Sequence, residues 1–186
     1  MKVSQQIVGV NQRLGNTAGP NMQGTTRVIF DSLDVTSTAT DINLNFFQGV
    51  SSRIYPAANI NSNRFEVGES LAIQGFSIFQ RDTATIATRA FSWAVTNTAA
   101  ILNFYIGNQR VIKDLEIGTY GRFQIGESIS ESNQPSVFRL ETPIVIPPQI
   151  EFYATVRIGM TTSLNAATVT LAAFGTGTLL NTKSNY

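Results

Sequence analysis

The side chains that carry most enzyme chemistry are missing from this chain, which has no histidine and no cysteine. Without imidazole there is no Ser-His or Cys-His nucleophile, and the commonest general base and metal ligand are gone. Without thiols there is neither a disulfide framework nor a sulfur-ligated metal. Carboxylate pairs are what remain. Glu66 with Glu69, Asp31 with Asp34, and Glu127 with Glu131 are spaced so that an acid and a base could share a substrate, as in glycoside hydrolysis. These acids fall in stretches that read as strand ends and turns, where solvated charge is the expected role. No catalytic residue is assigned, and the chain is not expected to be an enzyme. The EF-hand spacing of oxygen ligands is absent, so no metal and no cofactor is assigned either. Gly175-Thr176-Gly177 follows a β-type run with no helix after it, and reads as a flexible exit to a tail instead of a phosphate cradle.

Aromatic residues offer a different chemistry. Trp93, Tyr105, Tyr120 and Tyr153 could form a stacking platform for sugar rings on a sheet face. Trp93 shares the parity of Phe91 and Val95, which points it to the core, whereas Tyr153 falls on the wet side of its run. Charge is sparse. Asp, Glu, Lys and Arg make up 13% of the chain against a usual share of about 25%, so the surface must be polar but largely uncharged. A net charge of +1 with no run of Lys or Arg argues against direct nucleic-acid binding. Ser4, Gln5 and Gln6 interrupt the apolar stretch a secretory signal needs, and no window approaches a membrane span. The expectation is a chain made and kept in a cytosol.

The elements that position these residues are short and β-like. Residues 1–26 are rich in Gly, Asn, Gln and Thr and read as an extended polar arm that needs outside contacts to become ordered. From Arg27 onward, apolar and polar residues alternate in runs with the period of half-buried strands. Examples are Ile42, Leu44 and Phe46, and the strict series Phe152, Ala154, Val156 and Ile158. Val169, Leu171 and Ala173 repeat the pattern. The alternation from Phe65 to Gln80 slips by one at Gln74-Gly75, where a β-bulge would restore a single apolar face. Gly107-Asn108 between Ile106 and Val111 has the Gly-first hairpin signature. Helical turns are conceivable only in the connections 84–90 and 114–120. Roughly eight β-runs without long helices exclude a parallel βαβ sheet. What remains is an all-β antiparallel β-sandwich over residues 27–175, first as a single jelly roll and second as an immunoglobulin-like sandwich, with a tail at 176–186.

One run breaks the alternation. Pro143, Ile144, Val145, Ile146, Pro147 and Pro148 ask for cover on both faces, while the prolines cannot donate to a ladder. A strand near the sheet edge, partly covered by a second copy of the chain, satisfies both demands, so these residues are the expected oligomer interface. The succession of polar arm, RFEVGESLAIQGFSIFQ (64–80), LNFYIGNQRVIKDLEIG (102–118) and FRLETPIVIPPQIEFYATVRI (138–158) resembles the jelly-roll virion proteins of bacteriophages. The similar proteins are of the capsid, penton, auxiliary capsid or head-fibre type. The resemblance implies a structural protein of a virus particle, made in the host cytoplasm and located in the virion. Its partners would be itself and other virion proteins. The alternative is a carbohydrate- or receptor-binding β-module.

Overall fold

A computed structural model describes residues 22–37, 41–82, 100–117, 137–159 and 164–180. The strands are β1 (Met22–Ser37), β2 (Asp41–Phe46), β3 (Ser70–Asp82), β4 (Ala100–Ile106), β5 (Gln109–Glu116), β6 (Val137–Ile146), β7 (Phe152–Gly159) and β8 (Leu164–Leu180). One sheet has the order β1-β8-β3-β6 and the other β2-β7-β4-β5, with antiparallel pairing throughout. Each sheet buries one face against the other, so the chain is an antiparallel β-sandwich. The pairs are nested: β4 with β5, β3 with β6, β2 with β7, and β1 with β8. Such nesting is what one long antiparallel ribbon makes when it folds back at the β4–β5 turn and then rolls up.

The alternating runs do what their period requires. Phe152, Ala154, Val156 and Ile158 of β7 point inward with Leu44, Phe46, Leu102 and Phe104, and meet Ile29, Leu71, Ile73, Phe76, Leu171 and Ala173 of the opposite sheet. Phe47, Phe65, Phe76 and Phe104 form an aromatic seam with Phe152 at its centre, with neighbouring ring centroids 5.1–6.3 Å apart. Gly107, at φ 57°, makes the two-residue turn between Ile106 and Gln109. The bulge falls where the slip in alternation places it. Both ladders of β3 skip Gln74, pairing Ile73 and then Gly75.

Several boundaries differ from the sequence reading. The pairing of β1 with β8 runs out to Met22 and Leu180, so residues 22–26 of the expected arm and 176–180 of the expected tail are strand. Each supplies the contacts the other lacks by itself. Gly175 is therefore no flexible exit: a Cβ there would lie on the Ala72 carbonyl, and only glycine admits the close approach beside the bulge. The face alternation of β8 is also incomplete. Thr170 and Ala172 are buried along with Val169, Leu171 and Ala173, because β8 is an inner strand and Thr170 hydroxyl-bonds Ser32 at 2.8 Å. Phe65 to Glu69 is loop instead of strand, with Gly68 at φ 86° and Val67 exposed. Asp114 to Glu116 is strand where a helical turn was conceivable; the positive φ of Asp114 kinks β5, and Asn103 Oδ1 accepts its backbone N–H at 2.9 Å. The 84–90 segment, Trp93, Tyr120, Glu127, Glu131 and residues 1–21 lie outside the described residues.

Candidate functional site

Three of the nominated carboxylates, Asp31, Asp34 and Glu69, are engaged by other groups. Asp31 lies on the inward parity of β1 with Ile29 and Leu33, and is fully buried, not solvated at a strand end. Arg53 reaches it with two donors, Nε to Oδ1 and Nη2 to Oδ2, both at 2.7 Å, and the Phe47 N–H donates to Oδ2 at 2.6 Å. A charge taken so far from water persists only with such partners. Asp34, its suggested mate, is exposed and accepts from Thr168. Glu69 pairs with Arg27 at 3.0 Å, and Arg27 lies 4.6 Å above the Phe65 ring. Arg64 pairs with Glu151, and exposed Glu66 borders the same shallow cleft of about 200 Å³. Among the described residues no three acids converge as a metal site would require, and no helix is long and apolar enough to cross a membrane.

What these ion pairs do is shape surfaces. The Asp31–Arg53 pair ties the loop after β2 onto β1, and Asn59 finishes the job. Asn59 Oδ1 accepts from the Phe30 N–H and Nδ2 donates to the Val28 carbonyl, each at 2.7 Å, while its own N–H reaches the Phe30 carbonyl at 3.3 Å. One asparagine thus satisfies the β1 edge at Val28 and Phe30 as a strand would. The same loop lifts Ile54 and Tyr55 clear of the domain, 80% and 78% exposed.

The opposite edge of that sheet is β6, which carries the predicted interface residues. Ile144 and Ile146 pair with Ile73 and Leu71 and face the core, and Pro147 and Pro148 are buried within the chain. The expected patch is therefore narrower than its sequence: Pro143 and Val145 are the half-buried members not turned to the core. Leu140 to Pro143 stand opposite Gln74 alone and interrupt the ladder where Pro143 has no N–H to give. In the row of Val145 the outward residues are Ala72, Thr176 and Thr26; the next rows hold Arg139, Gly75, Phe174 and Val28, then Val137, Ser77, Ala172 and Phe30, with Val28 47% and Val137 45% exposed.

The outer face of the second sheet is of another kind. Asn43 and Asn45 of β2, Thr155 and Arg157 of β7, and Ile101, Asn103 and Tyr105 of β4 lie there in register. Tyr105 stands opposite Tyr153, and their rings stack at 4.5 Å and 6°. Two of the four proposed platform aromatics therefore meet. Arg157 is held by Asp41, whose carboxyl its hydrogen bonds lower below the ordinary value of 3.8; the same bonds raise Arg157. No family model, curated protein or solved structure matches the chain.

Proposed function

We propose that this chain is a structural subunit of a virus particle, a jelly roll that acts by joining copies of itself and neighbouring virion proteins instead of by catalysis. The observation that carries the reading is the nested order, β4 with β5 out to β1 with β8. An eight-stranded ribbon rolled into two four-stranded sheets is the jelly-roll plan, on which viral capsid domains are built. The exposed Val28 and Val137 on the outer face of the β1-β8-β3-β6 sheet and the exposed Ile54 and Tyr55, next to Arg53 and its bond to Asp31, offer apolar points to a neighbour. Such surfaces suit a chain with few charges to hold copies apart. The virion is its place, after synthesis in the host cytoplasm.

Purified full-length protein, measured by light scattering and viewed by negative-stain electron microscopy, should have the mass of several copies and form regular rings, sheets or shells. A monomer at every concentration, with no ordered assembly, overturns the proposal.

A further inference from the structure

We infer that the outer face of the β2-β7-β4-β5 sheet is a binding platform for a neutral carbohydrate, centred on Tyr153. Tyr153 and Tyr105 face each other across neighbouring strands, so their ring normals run from strand to strand and each ring keeps one face turned away from the other. The free face of Tyr153 looks toward β2. There β2 has already ended: Phe46 pairs with Ala154, and Phe47, the next residue, turns at φ 65° into the core, where it is fully buried. No β2 side chain stands beside the half-buried tyrosine; one residue back, the Asn63 carbonyl takes the place of β2 and accepts the Phe152 N–H at 2.9 Å.

The surroundings choose the ligand's chemistry. The next outward positions are Asn45, Thr155 and Asn103, in one row across the three strands and about 7 Å along the strand from the tyrosines. The Asn45 amide offers a donor and an acceptor side by side, which adjacent sugar hydroxyls can take together, whereas Asn103 Oδ1 already accepts from the Asp114 N–H and from Arg110. The apolar C–H face of a pyranose ring fits an aromatic face, and the Tyr–Tyr stack fixes that face before binding, so little ordering cost remains. Charge adds nothing for an anion: Arg157 is bonded to Asp41 at 2.9 Å, Arg110 lies 4.0 Å from Asp114, and Arg64 is paired with Glu151, the outward residue before Tyr153. This site does not depend on the assembly proposed above.

The test is a glycan microarray of neutral and anionic oligosaccharides probed with the labelled full-length protein. Titration calorimetry follows, with the best neutral oligosaccharide found. Neutral glycans should be the ligands. Tyr153→Ala should weaken binding about tenfold or more, Asn45→Ala several-fold, and Tyr153→Phe within about threefold because the stacking ring is kept. Circular dichroism and light-scattering mass should stay as in the wild type for all three. Binding to no neutral glycan, binding confined to anionic glycans, or equal affinity in Tyr153→Ala overturns the inference. A fall in assembly mass in Tyr153→Ala without glycan binding also overturns it, and makes the face a contact between copies.

Discussion

On the outside of one sheet, Val28, Phe30, Val137, Val145 and Phe174 are interspersed with Thr26, Thr176 and Arg139, and the face ends at an edge strand interrupted by proline. On the outside of the other, a pair of stacked tyrosines is followed along the strands by a row of Asn45, Thr155 and Asn103 and then by Asn43, Arg157 and Ile101. Both faces are built from the same alternating pattern, yet the first carries more apolar side chains and the second is the wetter. The period of a strand fixes which residues share a face, and composition alone decides what that face can meet. Edges differ likewise. β1 is closed by Asn59 and the Asp31–Arg53 pair, whereas no strand among the described residues pairs with the outer side of β6.

The largest expected effect separates inside from outside on one strand. Phe152→Ala removes the centre of the aromatic seam and should cost about 3–5 kcal/mol in denaturant unfolding, while its neighbour change Tyr153→Ala should cost about 1 kcal/mol or less. Equal losses would mean that the tyrosine face is structural and the contrast between the faces is false. Next comes the closed edge. Asp31→Ala strands Arg53 and the Phe47 N–H, and should cost about 3 kcal/mol. Hydrogen exchange should show the loop after β2 released at the same time; protection there unchanged would mean that Asn59 alone seals β1.

A smaller stability effect, but a larger one on mass, is expected at the open edge. Val145→Asp should reduce the light-scattering mass while shifting unfolding by about 1 kcal/mol or less, and Thr155→Asp on the wet face should leave the mass alone. A mutant that melts early at unchanged mass would make the β6 run ordinary core. The smallest effect concerns pH. Asp41 has a lowered carboxyl, so its bond to Arg157 contributes fully above the ordinary value of 3.8 and fades as pH falls below it. Because the pair is exposed, Asp41→Asn should barely move the melting temperature at pH 7, and should flatten any wild-type decline only below pH 4. A large loss at neutral pH would give this rim of the wet face a structural weight its exposure denies.

Much of this was readable from periodicity. The inward set of β7, the Gly107-Asn108 turn and the Gln74 bulge follow from parity alone. Asp31 did signal itself, since it shares the parity of Ile29 and Leu33, and an acid on a core parity demands a cation; its partner Arg53 lies in a loop whose path no local pattern encodes. Gly175 and Gly177 misled because glycine marks both flexible exits and close backbone approaches, and only the neighbouring strand tells which. The burial of Thr170 and Ala172 depends on the inner place of β8 in its sheet, which is topology and not period. For the run at Pro143, the sequence located an interrupted edge but not which side chains turn inward, because without alternation parity has nothing to act on.

The outermost pair of the nest also dictates an order of events during synthesis. Ser32 and Thr170 share a hydrogen bond across 138 residues of chain, so β1 emerges from the ribosome long before the strand that will lie beside it. The hairpin at Gly107 can close as soon as β5 is made, and pairing can then spread outward through β7 and β6, but β1 waits for β8. Until then its free strand edge is exposed among other nascent copies of the same chain, and folding of so non-local a sheet is slow. Translation speed and chaperone supply would therefore govern the yield of closed sandwiches as much as the stability of the finished one does.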